Sequence, residues 1–351
     1  MLGEKLKNIK VKRHLRFMEV CGTHTVNICR FGLRNLFPEE VELRSGPGCP
    51  VCVTPASAIK IGIDLALKND KFVITTYGDM MKVPGPNGTL ADAKAKGGKV
   101  FSVYSITEAL SLAEKNEDLK VIFLAVGFET TAPASAWAIK EAKLKNIKNF
   151  FLLSFHKLVP PAMELLASEG TLDGFLCPGH VSTIIGTEVY KNIARKYKIP
   201  CVISGFEAED IIFAMIKLIE MAENEAYDVF NAYKRAVKKE GNKVAQGLLN
   251  EVFEEVDSEW RGIGVIPKSG LDIKEEYADF DAKIAFNIEK EDIPENPACK
   301  CGEVLKGYIY PYECPLFGKS CIPEHPIGPC MISSEGSCAA YYRYGGRLKD
   351  D

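Results

Sequence analysis

At 351 residues the chain is too long for one ordinary core, so two or three domains are expected, and 46% hydrophobic with 26% charged residues is the balance of a soluble globular protein. A formal net charge of −3 carries no basic bias toward nucleic acid or membrane. No apolar run reaches the roughly 18 residues that a bilayer span needs, and residues 1–7 hold no apolar signal core, so a cytoplasmic protein is expected.

Twelve cysteines stand out against that background. In a reducing compartment they point to metal binding or redox catalysis rather than to structural disulfides. Cys21, Cys29, Cys49 and Cys52 come early, Cys177 and Cys201 lie mid-chain, and six fall between Cys299 and Cys338.

In chain order, residues 1–16 read as a solvated helix with Leu2, Leu6 and Ile9 at helical spacing. A strand over 16–20 feeds Cys21-Gly22-Thr23-His24, and a helix is expected over 25–36, with Cys29 as a core residue. A thiol and an imidazole three residues apart suit a thiolate of lowered pKa or a soft metal site, and open α/β sheets place sites at such strand ends. A strand over 41–44 enters Gly46-Pro47-Gly48-Cys49-Pro50-Val51-Cys52, with a helix from about Ala56. The CxxC pair can close a reversible disulfide or offer two thiolates to one metal, and a helix N-terminus nearby favours the thiolate.

Strands over 72–76 and 100–103 follow, with a loop over 77–87 between them that contains Asp79 and Lys82. The apolar run 121–126 is a strand buried on both faces, ending in Gly127-Phe128-Glu129-Thr130-Thr131. Those polar residues either cap the next helix, 134–145, or form a cluster at the carboxyl edge of the sheet. A strand over 149–154 ends just before His156, and one over 173–177 leads into Pro178-Gly179-His180-Val181-Ser182. A strand over 200–204 opens a helix expected to run to about 239, and 262–271 reads as extended. No GxGxxG or GxxxxGK[ST] appears, so nucleotide binding is unsupported.

Alternating strands and helices imply an α/β fold of two parallel-sheet, Rossmann-like βαβ domains, 1–118 and 119–240, followed by a smaller Cys-rich iron–sulfur domain over 241–351. If the two sheet edges face each other, the motifs line one cleft. The uneven, Pro/Gly-rich spacing of the last six cysteines suits a [4Fe–4S] cluster better than a zinc ribbon.

Together, Cys21-Gly-Thr-His24, Gly46-Pro-Gly-Cys49-Pro-Val-Cys52, Gly127-Phe-Glu129-Thr-Thr131, Pro178-Gly-His180-Val-Ser and the C-terminal cysteine run resemble the HypD family of [NiFe]-hydrogenase maturation factors, from about Cys21 to Tyr342. The resemblance implies two α/β domains plus a cluster-bearing one. It implies a scaffold that, with HypC, assembles the Fe(CN)2CO unit, with cyanide delivered as a thiocyanate on a C-terminal cysteine of HypE. On that resemblance Cys21 is a ligand of the transient iron, His24 orients or deprotonates it, and Cys49 and Cys52 cycle between dithiol and disulfide. Glu129, Thr130, Thr131 and His180 steer cyanide or the partner's tail. Cys314, Cys321, Cys330 and Cys338 are the expected cluster ligands, with Cys299 and Cys301 a vicinal redox pair or a substitute ligand. Two rival readings stay open: an independent iron–sulfur disulfide reductase, and a structural iron–sulfur module with an inert CxxC.

Overall fold

The structure, a computed structural model, describes residues 2–289 and 291–345. Its strands are β1 (Leu15–Glu19), β2 (Val41–Ser45), β3 (Phe72–Thr76), β4 (Lys99–Ser102), β5 (Lys120–Gly127), β6 (Phe150–His156), β7 (Gly174–Cys177), β8 (Cys201–Ile203), β9 (Val229–Asn231), β10 (Phe253–Trp260) and β11 (Gly264–Ile273). The chain divides into two compact units that interleave in sequence. One comprises the chain up to Cys52, Val159–Lys243 and everything from Ala298 on; the other comprises Val53–Leu158 and Val244–Pro297.

In the first unit five parallel strands run in the order β2-β1-β7-β8-β9. The register sets Glu19 opposite Ser45 on one side and Leu176 on the other, so the carboxyl ends of β2, β1 and β7 finish side by side. Phe17, Leu43, Leu176 and Val202 pack against Ile211, Met215 and Leu218 of the helix Ala208–Glu223. Each such fully buried side chain contributes about 1.5–3 kcal/mol. Close packing leaves no room for a Cβ at Gly174, which would lie 2.9 Å from both Leu218 Cδ1 and the Pro200 carbonyl. The cysteine-rich region is mostly irregular, with short helices at Cys301–Leu305 and Ser337–Tyr344. Gly307, at φ +73°, lets this region approach the sheet, since a Cβ there would stand 2.6 Å from Met18 Cε.

In the second unit four parallel strands run β4-β3-β5-β6, beside the antiparallel hairpin β10–β11. Every β5 residue after Lys120 is buried, as a strand covered on both faces requires. Gly262 and Gly264, both at positive φ, make the tight hairpin connection.

Several expectations are revised. The N-terminal helix is confined to Leu2–Lys7, because Leu15 onward pairs with β2. The helix expected over 25–36 is Gly22–Arg30 followed by a 3-10 turn at Leu33–Leu36. The helix expected to reach 239 stops at Glu223, where its apolar stripe ends; Glu225 turns to φ +51° and the chain returns as β9. Pro50–Val53 is a short helix that holds Cys52, with Pro50 at its first position, where a missing N–H costs nothing. His156 ends β6 rather than following it. The two units interleave across the ranges 1–118, 119–240 and 241–351: β1, flanked by β2, finds its other parallel partner in β7, more than a hundred residues on. No helix among the described residues is long and apolar enough to cross a membrane.

Candidate functional site

In the first unit β1 connects outward to β2, and the next strand to join the sheet, β7, lies on the opposite side of β1. Such a reversal opens a crevice at the carboxyl ends, where open α/β sheets bind ligands. The loops after β2, β1 and β8 carry Cys49, Cys21 and Phe206, and the Gly179–Ile185 helix after β7 carries His180 in its first turn.

Two of these loops are locked together. Gly46 N–H donates to the Glu19 carbonyl at 2.7 Å, and Gly22 N–H donates to the Gly48 carbonyl at 3.0 Å. A Cβ on Gly48 would lie 2.2 Å from Cys21 N, so only glycine lets the Cys49 loop rest on the Cys21 loop. Cys21 caps the Gly22–Arg30 helix in extended conformation, and the backbone N–H groups of His24 and Thr23 face its sulfur. Cys52 N–H in turn approaches Cys49 Sγ at 3.4 Å.

All three thiols are buried, and for Cys21 and Cys52 burial opposes ionisation. It pushes Cys21 up to about 12 against those N–H groups, with the Glu335 charge adding to the rise. Cys52 is also raised well above the ordinary thiol value, chiefly by burial. At Cys21 and Cys52 burial therefore outweighs the lowering expected from an imidazole or a helix end. A four-residue helix supplies little dipole, and desolvation outweighs it. Nor does His24 supply a charge, because burial holds it down at about 4. Its Nε2 faces the Gly205 carbonyl at 2.9 Å and so carries the hydrogen, leaving Nδ1 as a lone-pair acceptor with no protein hydrogen bond among the described residues.

The ring of Phe206 lies near both histidines, 4.9 Å from His24 and 4.0 Å from the exposed His180, stacked on the latter at 29°. Burial lowers His180 as well. Glu335 reaches the same place from the cysteine-rich region, accepting from Thr23 Oγ1 at 2.5 Å. Sequence reading missed both Phe206 and Glu335. Phe206 had a signal, since it follows a strand end as His180 does; Glu335 had none beyond its Gly336 neighbour.

Five of the six late cysteines (Cys299, Cys301, Cys314, Cys321 and Cys338) line one small cavity of about 10 Å³ with Val304, Phe317 and Met331. Cys299 and Cys301 sulfurs are 3.3 Å apart, and Ile327 N–H donates to Cys321 Sγ at 3.3 Å. A Cβ on Gly328 would stand 2.6 Å from both Cys299 and Cys301 sulfurs. Cys330, fully buried, does not line the cavity; its thiol meets those of Cys301, Cys338 and Cys52. Cys299 and Cys301 thus stand with Cys314, Cys321 and Cys338, while Cys330 joins Cys301 and Cys338 of this group to Cys52. Among the described residues no three His, Cys, Asp or Glu are set to hold a single metal ion. A multi-iron cluster draws instead on thiolates held apart around a volume, and a ring of soft sulfurs fits that donor chemistry.

Glu129, Thr130 and Thr131 belong to the second unit, at the carboxyl end of β5. Gly127 is needed there, since a Cβ would stand 2.4 Å from Thr131 Cβ. Glu129 is buried and Thr130 exposed, and Thr131 begins the Ala132–Leu144 helix without a side-chain cap bond. Next to them, buried His156 contacts the Gly127 carbonyl at 3.4 Å and Ser135 Oγ at 2.8 Å. A cavity of about 250 Å³ in this unit, lined by His156, Lys157, Ser154 and Ser258 among others, contains no cysteine. Its size therefore does not mark the thiol chemistry, which lies in the other unit.

The HypD family model, described as "Hydrogenase formation hypA family", matches residues 1–345. The hydrogenase maturation factor HypD of Cupriavidus necator is 45% identical over 344 residues, covering 95% of this chain and 90% of the relative. Those of Azotobacter vinelandii and Escherichia coli (strain K12) are 44% identical over 343 residues and 43% over 336, each with the same coverage of 95% and 90%.

Proposed function

Because this chain belongs to the HypD family of hydrogenase maturation factors, we propose that it is the cytoplasmic scaffold on which, with HypC, the Fe(CN)2CO unit of a [NiFe]-hydrogenase is assembled, cyanide arriving from HypE. The observation that carries this reading is the meeting of Cys52 with Cys330, which ties the CxxC pair to the cysteine-rich region on the same unit as Cys21.

In this reading the iron is cargo, held by Cys21 together with a HypC thiolate; strong-field cyanide and CO favour such soft donors. The buried Cys21 thiol ionises only when iron arrives, because coordination deprotonates a thiol outright. Cys49, on the loop against Cys21, attacks the sulfur of the HypE thiocyanate as a thiolate. The S–CN bond breaks, cyanide leaves as an anion to the iron, and a mixed disulfide forms. Cys52 then displaces the HypE thiolate, leaving a Cys49–Cys52 disulfide and a free partner thiol. Four of the six late cysteines would hold a [4Fe–4S] cluster, which would relay two electrons, one at a time, from an external one-electron donor to restore the dithiol. His180, exposed and stacked on Phe206, and Glu335 beside Thr23 present polar groups to the incoming tail, and Glu129, Thr130 and Thr131 are proposed to steer cyanide or the tail.

Anaerobic co-purification with HypC followed by infrared spectroscopy tests the scheme. Cyanide and CO stretching bands are expected, and are expected to vanish in Cys21→Ala. Iron bound only as a cluster, without those bands in a maturation-competent host, would sink it. The Cys52–Cys330 contact also favours a second reading, an independent iron–sulfur disulfide reductase, which requires catalytic reduction of a protein disulfide in the absence of HypC.

A further inference from the structure

A carboxylate outside every motif of the sequence lies beneath the two cysteine loops. Glu19, the last residue of β1, is wholly buried, and its Oε1 accepts from Ser45 Oγ at 2.7 Å and from Thr25 Oγ1 at 3.0 Å. Ser45 closes β2 directly before the loop to Cys49, while Thr25 stands in the first turn of the helix that Cys21 caps. One oxygen thus holds the chain on both sides of the crevice thiols. Arg34 Nη2 lies 3.5 Å from that same oxygen, and Arg34 Nη1 donates to Cys29 Sγ at 3.2 Å. The guanidinium also covers the ring of Tyr341, 4.7 Å from its centroid. Tyr341 sits three residues after Cys338 on the Ser337–Tyr344 helix, one turn along the same face.

Stability alone does not account for this cluster. Burying an ion pair costs several kcal/mol of desolvation per ion, and well-packed apolar replacements of similar volume are often neutral or stabilising. Nor is the network saturated: Glu19 Oε2, Arg34 Nε and Tyr341 Oη have no protein hydrogen bond among the described residues. What the charges supply, and apolar groups would not, is direction. A carboxylate oxygen shared by two hydroxyls and a guanidinium, and a guanidinium held between a carboxylate and a ring face, each fix an orientation.

We propose that Glu19, Arg34 and Tyr341 are positioning residues that form a buried clasp, setting the Cys21 loop, the Cys49 loop and the Cys338 helix against one another. The clasp rests on this geometry and not on the iron-scaffold reading, so either can fail without the other.

The test is peptide-resolved alkylation of the full chain with iodoacetamide under anaerobic reducing conditions, alongside thermal melting. Glu19→Gln is expected to speed modification of Cys21 and Cys49 on the order of tenfold, as local opening does, while Cys177 and Cys201, buried in β7 and β8 of the same unit, stay protected. Arg34→Lys keeps the charge but loses the planar face over Tyr341, and is expected to release Cys338 while sparing Cys21 and Cys49. The double variant Glu19→Leu/Arg34→Met guards against misfolding, because it removes both charges together. It is expected to melt near the wild-type temperature yet still expose Cys21 and Cys49. Wild-type protection of those thiols in the double variant would overturn the proposal. So would uniform exposure of all cysteines, Cys177 and Cys201 included, in every variant, since that would make the pair a stability element only.

Discussion

Gly48→Ala puts the locking of the two thiol loops to a direct test. An added Cβ would stand 2.2 Å from Cys21 N, 2.4 Å from Cys21 Cα and 2.5 Å from Val20 C, all backbone atoms that no rotamer change can move away. Ordinary contact begins at 3.4 Å, so one loop must retreat by 3.4 − 2.2 = 1.2 Å from Cys21 N. That shift breaks the Gly22-to-Gly48 bond and strains the Gly46-to-Glu19 bond, each worth about 0.5–1.5 kcal/mol net. Adding the usual overpacking cost of about 1–3 kcal/mol places the whole effect at roughly 2–6 kcal/mol. The strain falls on a loop rather than on the sheet, so much of it is relieved by local displacement. The expected outcome is a modest loss in denaturant midpoint with a large gain in alkylation of Cys21 and Cys49. Gly247→Ala is the matched control: its Cβ meets nothing within 4 Å on the helix Lys243–Val252, and it is expected to stabilise by about 0.5–1 kcal/mol. Wild-type stability and wild-type thiol protection in Gly48→Ala would refute the argument, because a backbone overlap of that size has no harmless resolution.

Two further outcomes follow from buried titratable groups. Burial holds His156 at about 4 in the folded protein, against about 6.5 in an unfolded chain. Between those values unfolding takes up a proton, so stability present above pH about 6.5 is lost as the pH falls toward 4, at up to about 1.4 kcal/mol per unit. Urea titrations of His156→Gln are expected to show a shallower fall across that window, with the His24 contribution remaining; an unchanged slope would contradict it. Because burial pushes the Cys21 thiol up to about 12, ferrous iron must displace a proton to bind there. Calorimetry of iron loading onto the chain with HypC is expected to show proton release, with affinity rising about tenfold per pH unit between about 6 and 8. A pH-independent affinity would exclude Cys21 as the ligand.

Much of the site was legible before any coordinates. Cys21, Cys49 and His180 each follow a predicted strand and precede a predicted helix, and a period-2 or continuous apolar run ending in Gly-rich polar sequence is a local signal. The strand Phe72–Thr76 matches the sequence reading to the residue, and the crowding of six cysteines from Cys299 to Cys338 is plain in the sequence. Glu19 was not legible, because a carboxylate at a strand end reads as solvated unless its buried partners on three other segments are known. Cys299 and Cys301 were set apart from Cys314, Cys321 and Cys338 on spacing alone, yet they line the same cavity.

The sequence by itself determined the strands β1 to β8, to within a residue or two at their ends, and that the motifs follow strand carboxyl ends. These properties follow from φ/ψ preference and hydrophobic period, which act within a few residues. Only the tertiary structure decided that β1, with β2 on one side, pairs on the other with β7, while β3 to β6 form another sheet. A parallel strand finds its partner through a crossover whose length the local pattern does not encode. It alone also decided that the Cys21 thiol is desolvated, which pushes it up to about 12. Desolvation is set by every atom that excludes water from a sulfur, and those atoms come from segments as distant as Gly48 and Glu335 from Cys21.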